Sequence, residues 1–382
     1  MRILNVLYEL NTGGMERLLV TTANKLSETD EVFACIVSGQ YSEDLLRSFD
    51  EKVHVVILKR CGHLRQIRYL LQIIRLAQRE NVEVLHFHDA MIAFKFAPVC
   101  ILTPGRKKFY TIHDTGEFER IGRCNRWIIR ACSHRVIAIS RAVASELKAF
   151  HVPERKVRLV YNSVDTSRFP VRRKRSLKDG RVILGQVARL VPAKKGQDVL
   201  LRAAALLRER GYDVECRFAG EQTEGSEDLA KLKDLAGQLH LADRAVFFGN
   251  VTDVQGFLND LDIFVLPSRY EGFGISVVEA LSSGLPCVTS DVPGLNELIT
   301  DTRLGEQFHS GDAQDLADKL MYVIEHESDY DPDYLHQYVT DRFSDTTACE
   351  ELQAIYAERR HEMAAGRIDG DGFGVYEDSD RQ

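Results

Sequence analysis

The sequence predicts an α/β protein of two doubly wound, Rossmann-like domains that face each other across a central cleft. Three observations carry this. Short apolar runs of strand length alternate with helix-length segments, a pattern that implies parallel strands joined by right-handed crossovers. The series starts twice, once at Arg2 and again at Val182. Between the two lies a polar, charged stretch, residues 166–180, with almost no apolar spacing, which reads as a linker.

The first series opens with the apolar run Arg2–Tyr8, the turn Asn11-Thr12-Gly13-Gly14 and a helix over Met15–Leu26. Further buried strands are expected at Val32–Val37, Val53–Ile57, Val82–His86, Lys108–Ile112 and Arg135–Ile139, with helical segments such as Leu64–Arg79 between them. These elements fill a first domain over residues 1–165. The second domain, residues 181–340, restarts with a strand at Val182–Val187 and a helix at Gln197–Arg210. Strands at Val214–Ala219, Ala245–Phe248, Ile263–Leu266 and Pro286–Thr289 follow. A helix near residues 340–365 is expected to rejoin the first domain. The glycine- and acid-rich stretch 366–382 has little to bury and is expected to be disordered. Ligands of doubly wound sheets bind beyond the carboxyl ends of the strands, so the site is expected in the cleft.

Composition narrows the function. A chain of 382 residues with 44% hydrophobic and 28% charged content is globular and long enough for two cores. No stretch reaches the roughly 18 apolar residues that span a bilayer. Glu9 interrupts the first apolar run where a signal peptide needs an unbroken one. Eight cysteines without a CxxC pair favour buried, reduced thiols over a disulfide frame or a zinc site, and hence a cytoplasmic location. Residues 1–170 carry 26 Lys and Arg against 18 Asp and Glu, whereas the remainder carries 24 against 39. The basic half suggests an anionic partner such as a phosphorylated lipid or the inner face of a membrane, the alternative being an ordinary solvated surface. No nucleic-acid partner is expected.

The densest chemistry lies in residues 267–297, PSRYEGFGISVVEALSSGLPCVTSDVPGLNE. A strand runs into a loop bearing Glu271, then Gly272-Phe273-Gly274, then a helix holding Glu279. Glycines let backbone approach a ligand, and a helix start offers free amides and the positive end of a dipole to phosphate. A carboxylate suits the vicinal hydroxyls of a ribose or hexose. In GQVARLVPAKKGQD, Arg189 follows a buried strand and Lys195-Gly196 precedes a helix, so two fixed cations can meet a diphosphate. Lys194 adjoins them, and the glycine that follows favours Lys195. His113, in KKFYTIHDTGEF, ends a strand at the cleft edge. His86 and His88 point one way along a strand, but no third ligand has matching spacing and no metal site is expected.

These segments closely resemble the Glu-x7-Glu motif and its companions in the glycosyltransferase-B superfamily, specifically its large retaining family 4. The resemblance runs from the Gly13-Gly14 turn to about Tyr356. It implies that Glu279 grips the ribose hydroxyls of the donor, that Glu271 lies near the donor sugar, and that the amides of Phe273, Gly274 and Ile275 bind sugar and phosphate. Arg189 and Lys195 would form the diphosphate clamp, Gly13 and Gly14 a turn that touches donor phosphate or acceptor, and His113 a contact near the reaction centre. Asn250 and Val251 end a strand facing the position of the nucleotide base. Two departures stand out: Ser163 replaces a glycine in YNSVDTSRF, and Gln222–Asp228 lacks the usual glycine-rich form.

The function implied is transfer of a sugar, with retention, from a UDP- or GDP-sugar to a glycan or lipid-linked acceptor in envelope, exo- or lipopolysaccharide biosynthesis. The nucleotide sugar is a substrate, and neither cofactor nor metal is expected. A nucleotide-sugar epimerase on the same fold, or a non-catalytic nucleotide-sugar-binding protein, are the alternatives.

Overall fold

A computed structural model describes residues 1–11, 13–58, 65–171, 177 and 180–358. Seven parallel strands make a first sheet: β1 (Arg2–Leu7), β2 (Glu31–Ile36), β3 (His54–Ile57), β4 (Val84–Phe87), β5 (Lys107–Ile112), β6 (Arg135–Ala138) and β7 (Val157–Leu159), in the order β3-β2-β1-β4-β5-β6-β7. Six more make a second: β8 (Val182–Val187), β9 (Val214–Ala219), β10 (Ala245–Gly249), β11 (Ile263–Leu266), β12 (Cys287–Ser290) and β13 (Gly305–Phe308), in the order β10-β9-β8-β11-β12-β13. β1, β2 and β5 are buried on both faces over nearly their whole length. Helices cover both sides of such strands, which is why they read as unbroken apolar runs.

β7 and β13 are additions to the expected strands. β7 is three residues long and only half-buried, and β13 (GEQF) has a single large apolar side chain. Each sits at the end of its sheet, where hydrogen bonding to one neighbour substitutes for an apolar signal.

Strand order reverses direction between β1 and β4 in the first sheet and between β8 and β11 in the second. The loops leaving these four strands diverge there and open a crevice. They carry the Gly13-Gly14 turn, His88, Arg189 and the Glu271 loop.

The chain then crosses back. Helix Pro332–Phe343 packs on helix Ile275–Ser282. At Ser344 the backbone is extended, and its Oγ accepts from the Thr347 amide at 3.2 Å, capping helix Asp345–Ala357. That last helix lies against helix Gly14–Leu26 of the first sheet and buries Leu352, Ile355 and Tyr356. Burial of each such side chain is worth about 1.5–3 kcal/mol, enough to hold the helix in place. The helix expected near residues 340–365 is Asp345–Ala357, and Pro332–Phe343 is a separate helix before it. The part of the expected helix past residue 358, the stretch 366–382 and much of the stretch 172–179 lie outside the described residues.

Seven cysteines are free, and Cys61 lies outside the described residues. Cys124 is exposed, against the expectation of buried thiols. No helix among the described residues is long and apolar enough to cross a membrane.

Candidate active site

The loop after β11 is fixed by close packing. Gly294, at φ +94°, leaves so little room that a Cβ there would lie 2.5 Å from the Glu271 carbonyl oxygen. Gly272 meets the first sheet: a Cβ would sit 3.0 Å from the Asp114 Cα. Thr115 Oγ1 donates to the Glu271 carbonyl at 3.2 Å, a hydrogen bond across the cleft. Phe273 turns its ring inward between Tyr161 and Phe343, so its backbone, not its side chain, is left for a ligand. Gly274, at φ +95°, then starts helix Ile275–Ser282, whose first amides have no carbonyl partner within the helix.

Lys195 reaches this loop. Its Nζ donates to Glu271 Oε2 at 2.6 Å, and Ser268 Oγ donates to the same oxygen at 3.1 Å. The turn that aims it depends on Gly196, at φ +68°, where a Cβ would meet the Pro267 carbonyl oxygen at 1.9 Å. Two buried glutamines hold the segment from behind: Gln186 Nε2 donates to the Lys195 carbonyl at 2.8 Å, and Gln197 Nε2 to the Arg189 carbonyl at 3.0 Å. Lys194 points elsewhere, pairing with Asp114 Oδ2 at 2.8 Å. Arg189 is exposed at the end of β8, within electrostatic reach of Glu16. Glu16 folds back over the turn, where a Cβ on Gly13 would lie 2.4 Å from its Oε2. Burial raises its carboxyl above the usual range.

A chain of neutral histidines enters from the first sheet. Asn5 Oδ1 lies 3.1 Å from His88 Nε2, and His88 Nδ1 lies 3.3 Å from His113 Nε2. An amide oxygen only accepts, so His88 donates from Nε2 and must accept at Nδ1. His113 then carries its proton on Nε2, and its Nδ1 is a buried lone pair without a partner. Burial lowers His113 to about 4 and drives His88 well down, so both rings are neutral at pH 7. His86 is sequestered by Tyr356 Oη at 2.6 Å and Thr111 Oγ1 at 2.7 Å. Glu117, whose Oε2 accepts from the His113 amide at 2.9 Å, is pushed up to about 7, chiefly by burial. Among the described residues no group of three His, Cys, Asp or Glu is disposed to hold a metal ion.

Glu279 lies one helical turn inside helix Ile275–Ser282 and lines a cavity with Gly14, Arg17, Arg168, Asp253 and Ile275. Burial raises its carboxyl to about 7 against the pull of Arg17 and Arg168. Asp253, on the cavity wall, caps helix Val254–Asn259 by accepting from the Gly256 amide at 2.8 Å.

The structure thus joins Lys195 to Glu271, and Gly14 and Ile275 to Glu279. Gly13 lies beside Glu16, and His113 sits at the head of the histidine chain. Asn250 lies apart, on a wider groove with Arg17 and Arg168, and Val251 packs against the core. The wall beside Glu279 is built from Thr252 to Gln255 instead. Sequence reasoning missed Arg17, Arg168, Asn5 and Tyr356. The first two stand in the helix expected over Met15–Leu26 and in the segment YNSVDTSRF, where their charge was the available signal.

Comparison with known proteins gives this geometry a family. The family model described as "Glycosyltransferase Family 4" matches residues 12–168, and that described as "Glycosyl transferases group 1" matches residues 167–339. The chain is 26% identical over 264 residues to the N-acetyl-alpha-D-glucosaminyl L-malate synthase of Bacillus anthracis, covering 66% of this chain and 68% of that one. It is 23% identical over 344 residues to the capsular polysaccharide biosynthesis glycosyltransferase CapM of Staphylococcus aureus, covering 84% and 88%. Among solved structures, Anabaena HepE in complex with UDP and glucose superposes with a TM-score of 0.81 at 19% identity, covering 94% of this chain and all of that one. The chain is an enzyme of the family 4, or group 1, glycosyltransferases, with the two-sheet fold of the glycosyltransferase-B superfamily.

Proposed function

We propose that the chain moves a sugar, with retention at the anomeric carbon and without a metal, from a UDP- or GDP-sugar to a glycan hydroxyl in the assembly of a cell-surface polysaccharide. The contact that carries this reading is Lys195 Nζ on Glu271 Oε2 at 2.6 Å, beside the amides of helix Ile275–Ser282. In the free enzyme Glu271 balances the Lys195 charge. When a diphosphate enters, Lys195, Arg189 and the helix amides take up its charge, and Glu271 is released towards the donor sugar's hydroxyls. Glu279, in its carboxylate form, accepts the two ribose hydroxyls. Neutral His113 offers its Nδ1 lone pair to a sugar hydroxyl.

The bond from the anomeric carbon to the diphosphate oxygen breaks as the acceptor oxygen bonds from the same face. The acceptor's proton passes to the departing phosphate oxygen, so no separate base is required. UDP is favoured over GDP because HepE, similar in fold over nearly the whole chain, is described in complex with UDP and glucose. The capsular relative supports the polysaccharide setting.

The test is thermal stability against UDP, GDP, ADP and NAD(H) with a chelator present. At a hundredfold excess over its dissociation constant a ligand stabilises by about 2.7 kcal/mol. The reading requires that a nucleoside diphosphate raises the melting temperature and that Glu279→Ala removes the effect. Stabilisation by NAD(H) alone, or only with added metal, overturns it.

A further inference from the structure

Helices Arg65–Arg79, Ala93–Leu102 and Arg123–Cys132 pack side by side on one face of the first sheet. Their sequences hold four, one and three Lys or Arg respectively, and not one Asp or Glu. Arg68, Arg75, Arg123 and Arg130 are exposed. Large apolar side chains stand out among them: Trp127 is 65% exposed, Ile101 68% and Phe94 59%, and Met91, Leu102 and Leu71 are exposed on the same elements. Among the described residues, over half of the exposed large hydrophobic side chains fall on these helices and the turn before Ala93. Asn125 fixes the near edge of this surface: its side chain donates to the Met91 carbonyl at 2.7 Å and accepts from the Phe94 amide at 2.6 Å.

A cluster of exposed apolar groups of this size marks an interaction surface. The partner is defined by what surrounds them. A protein partner of ordinary mixed charge would face only cations here, whereas a bilayer with anionic headgroups matches both features: arginines at the phosphates, and tryptophan and aliphatic side chains in the interface. Met91, Phe94 and Trp127 lie at the cleft end, where Met91 is three residues from His88 and β4 and β5 deliver His88 and His113.

We propose that this three-helix face docks on an anionic membrane surface and presents the cleft to an acceptor carried on a lipid. The docking stands independently; the lipid-borne acceptor rests on the transferase reading above.

Trp127 is the only tryptophan of the chain, so its fluorescence reports on this face alone. The full chain is titrated with phosphatidylcholine vesicles, pure or holding about 30% phosphatidylglycerol, at low and high salt. The proposal requires a blue shift of Trp127 and its quenching by lipids brominated in the acyl chain, with anionic vesicles at low salt. R123A and R130A each weaken binding about fivefold, and Phe94→Ser with Ile101→Ser removes quenching. Nucleotide-induced thermal stabilisation, measured on the same variants, stays as in the unaltered chain, which shows that they fold and separates loss of docking from failure of the transferase reading. An emission spectrum unmoved by anionic vesicles overturns the proposal. So does a blue shift that grows with protein concentration without vesicles, which identifies the face as a contact between two copies.

Discussion

The ribose-binding role proposed for Glu279 makes donor binding depend on pH in a calculable way. Its carboxyl is held to about 7 by burial, so near neutrality it is half protonated in the empty site. Arg17 and Arg168 face it, and Asp165 and Asp253 line the same cavity. If only the carboxylate accepts both ribose hydroxyls, affinity is reduced by the protonated fraction. The factor is about 11 at pH 6, about 2 at pH 7 and about 1.1 at pH 8, so Kd falls about tenfold from pH 6 to pH 8. The sign follows from the raised value: the proton is retained at pH values where an exposed glutamic acid has lost it, and binding strengthens as it leaves. Stability of the empty enzyme runs the other way. The favourable contribution of the protonated form is complete below the ordinary glutamate value and is lost as pH rises through 7. Titration calorimetry with the stabilising nucleotide sugar, whose diphosphate diester does not titrate in this range, measures the slope. Glu279→Gln should flatten it. Glu117→Gln should not, although Glu117 is also held to about 7, because it sits behind His113 and outside the Glu279 cavity. A flat profile in the unaltered enzyme, or a slope that survives Glu279→Gln, refutes the assignment.

Three further outcomes follow from the geometry. Lys195→Met should lower kcat by about 10²–10³, whereas Lys194→Met, which removes only the Asp114 pair, should cost less than about tenfold; steady-state kinetics that reverse this order would exchange the two roles. Nitrogen-15 NMR should find His113 neutral and protonated on Nε2 at pH 7 and still neutral at pH 5.5, since burial lowers it to about 4; Asn5→Leu should mix the tautomers, and a native ring protonated on Nδ1 contradicts the hydrogen-bond chain. Gly196→Ala must fit a Cβ 1.9 Å from the Pro267 carbonyl at φ +68°, so urea denaturation should show a loss of at least about 1–3 kcal/mol; a change within about 0.5 kcal/mol would show that the turn relaxes freely.

Much of this was legible in the sequence because both kinds of signal are local. Strands covered on two faces leave apolar runs, so β1, β8 and β11 could be located within a residue or so. Lys195 was separable from Lys194 only through the glycine beside it, and the reason is now physical: no side chain fits at Gly196. Other features depend on distance in the chain. Tyr356 bonds His86 across 270 residues, and no spacing rule joins them. Arg17 and Arg168 approach Glu279 only after both sheets have folded, and each looks like any other cation on a polar segment. Asn250 looked equivalent to its neighbours, yet the turn after β10 carries the cavity wall two to five residues further on. β13 was invisible because its single hydrogen-bonded neighbour, β12, defines it more than its own GEQF sequence does.

Retaining, metal-free sugar transfer from a nucleotide donor held by Glu279 and Lys195 is the reading on which the other predictions depend. The most direct test follows the anomeric proton by NMR at early times, with chelator present, as the enzyme consumes the α-linked nucleotide sugar that stabilises it. The first product should carry the α configuration, and Lys195→Met should stop its formation. A first product of β configuration, or turnover that appears only when a divalent metal is restored, would contradict that reading.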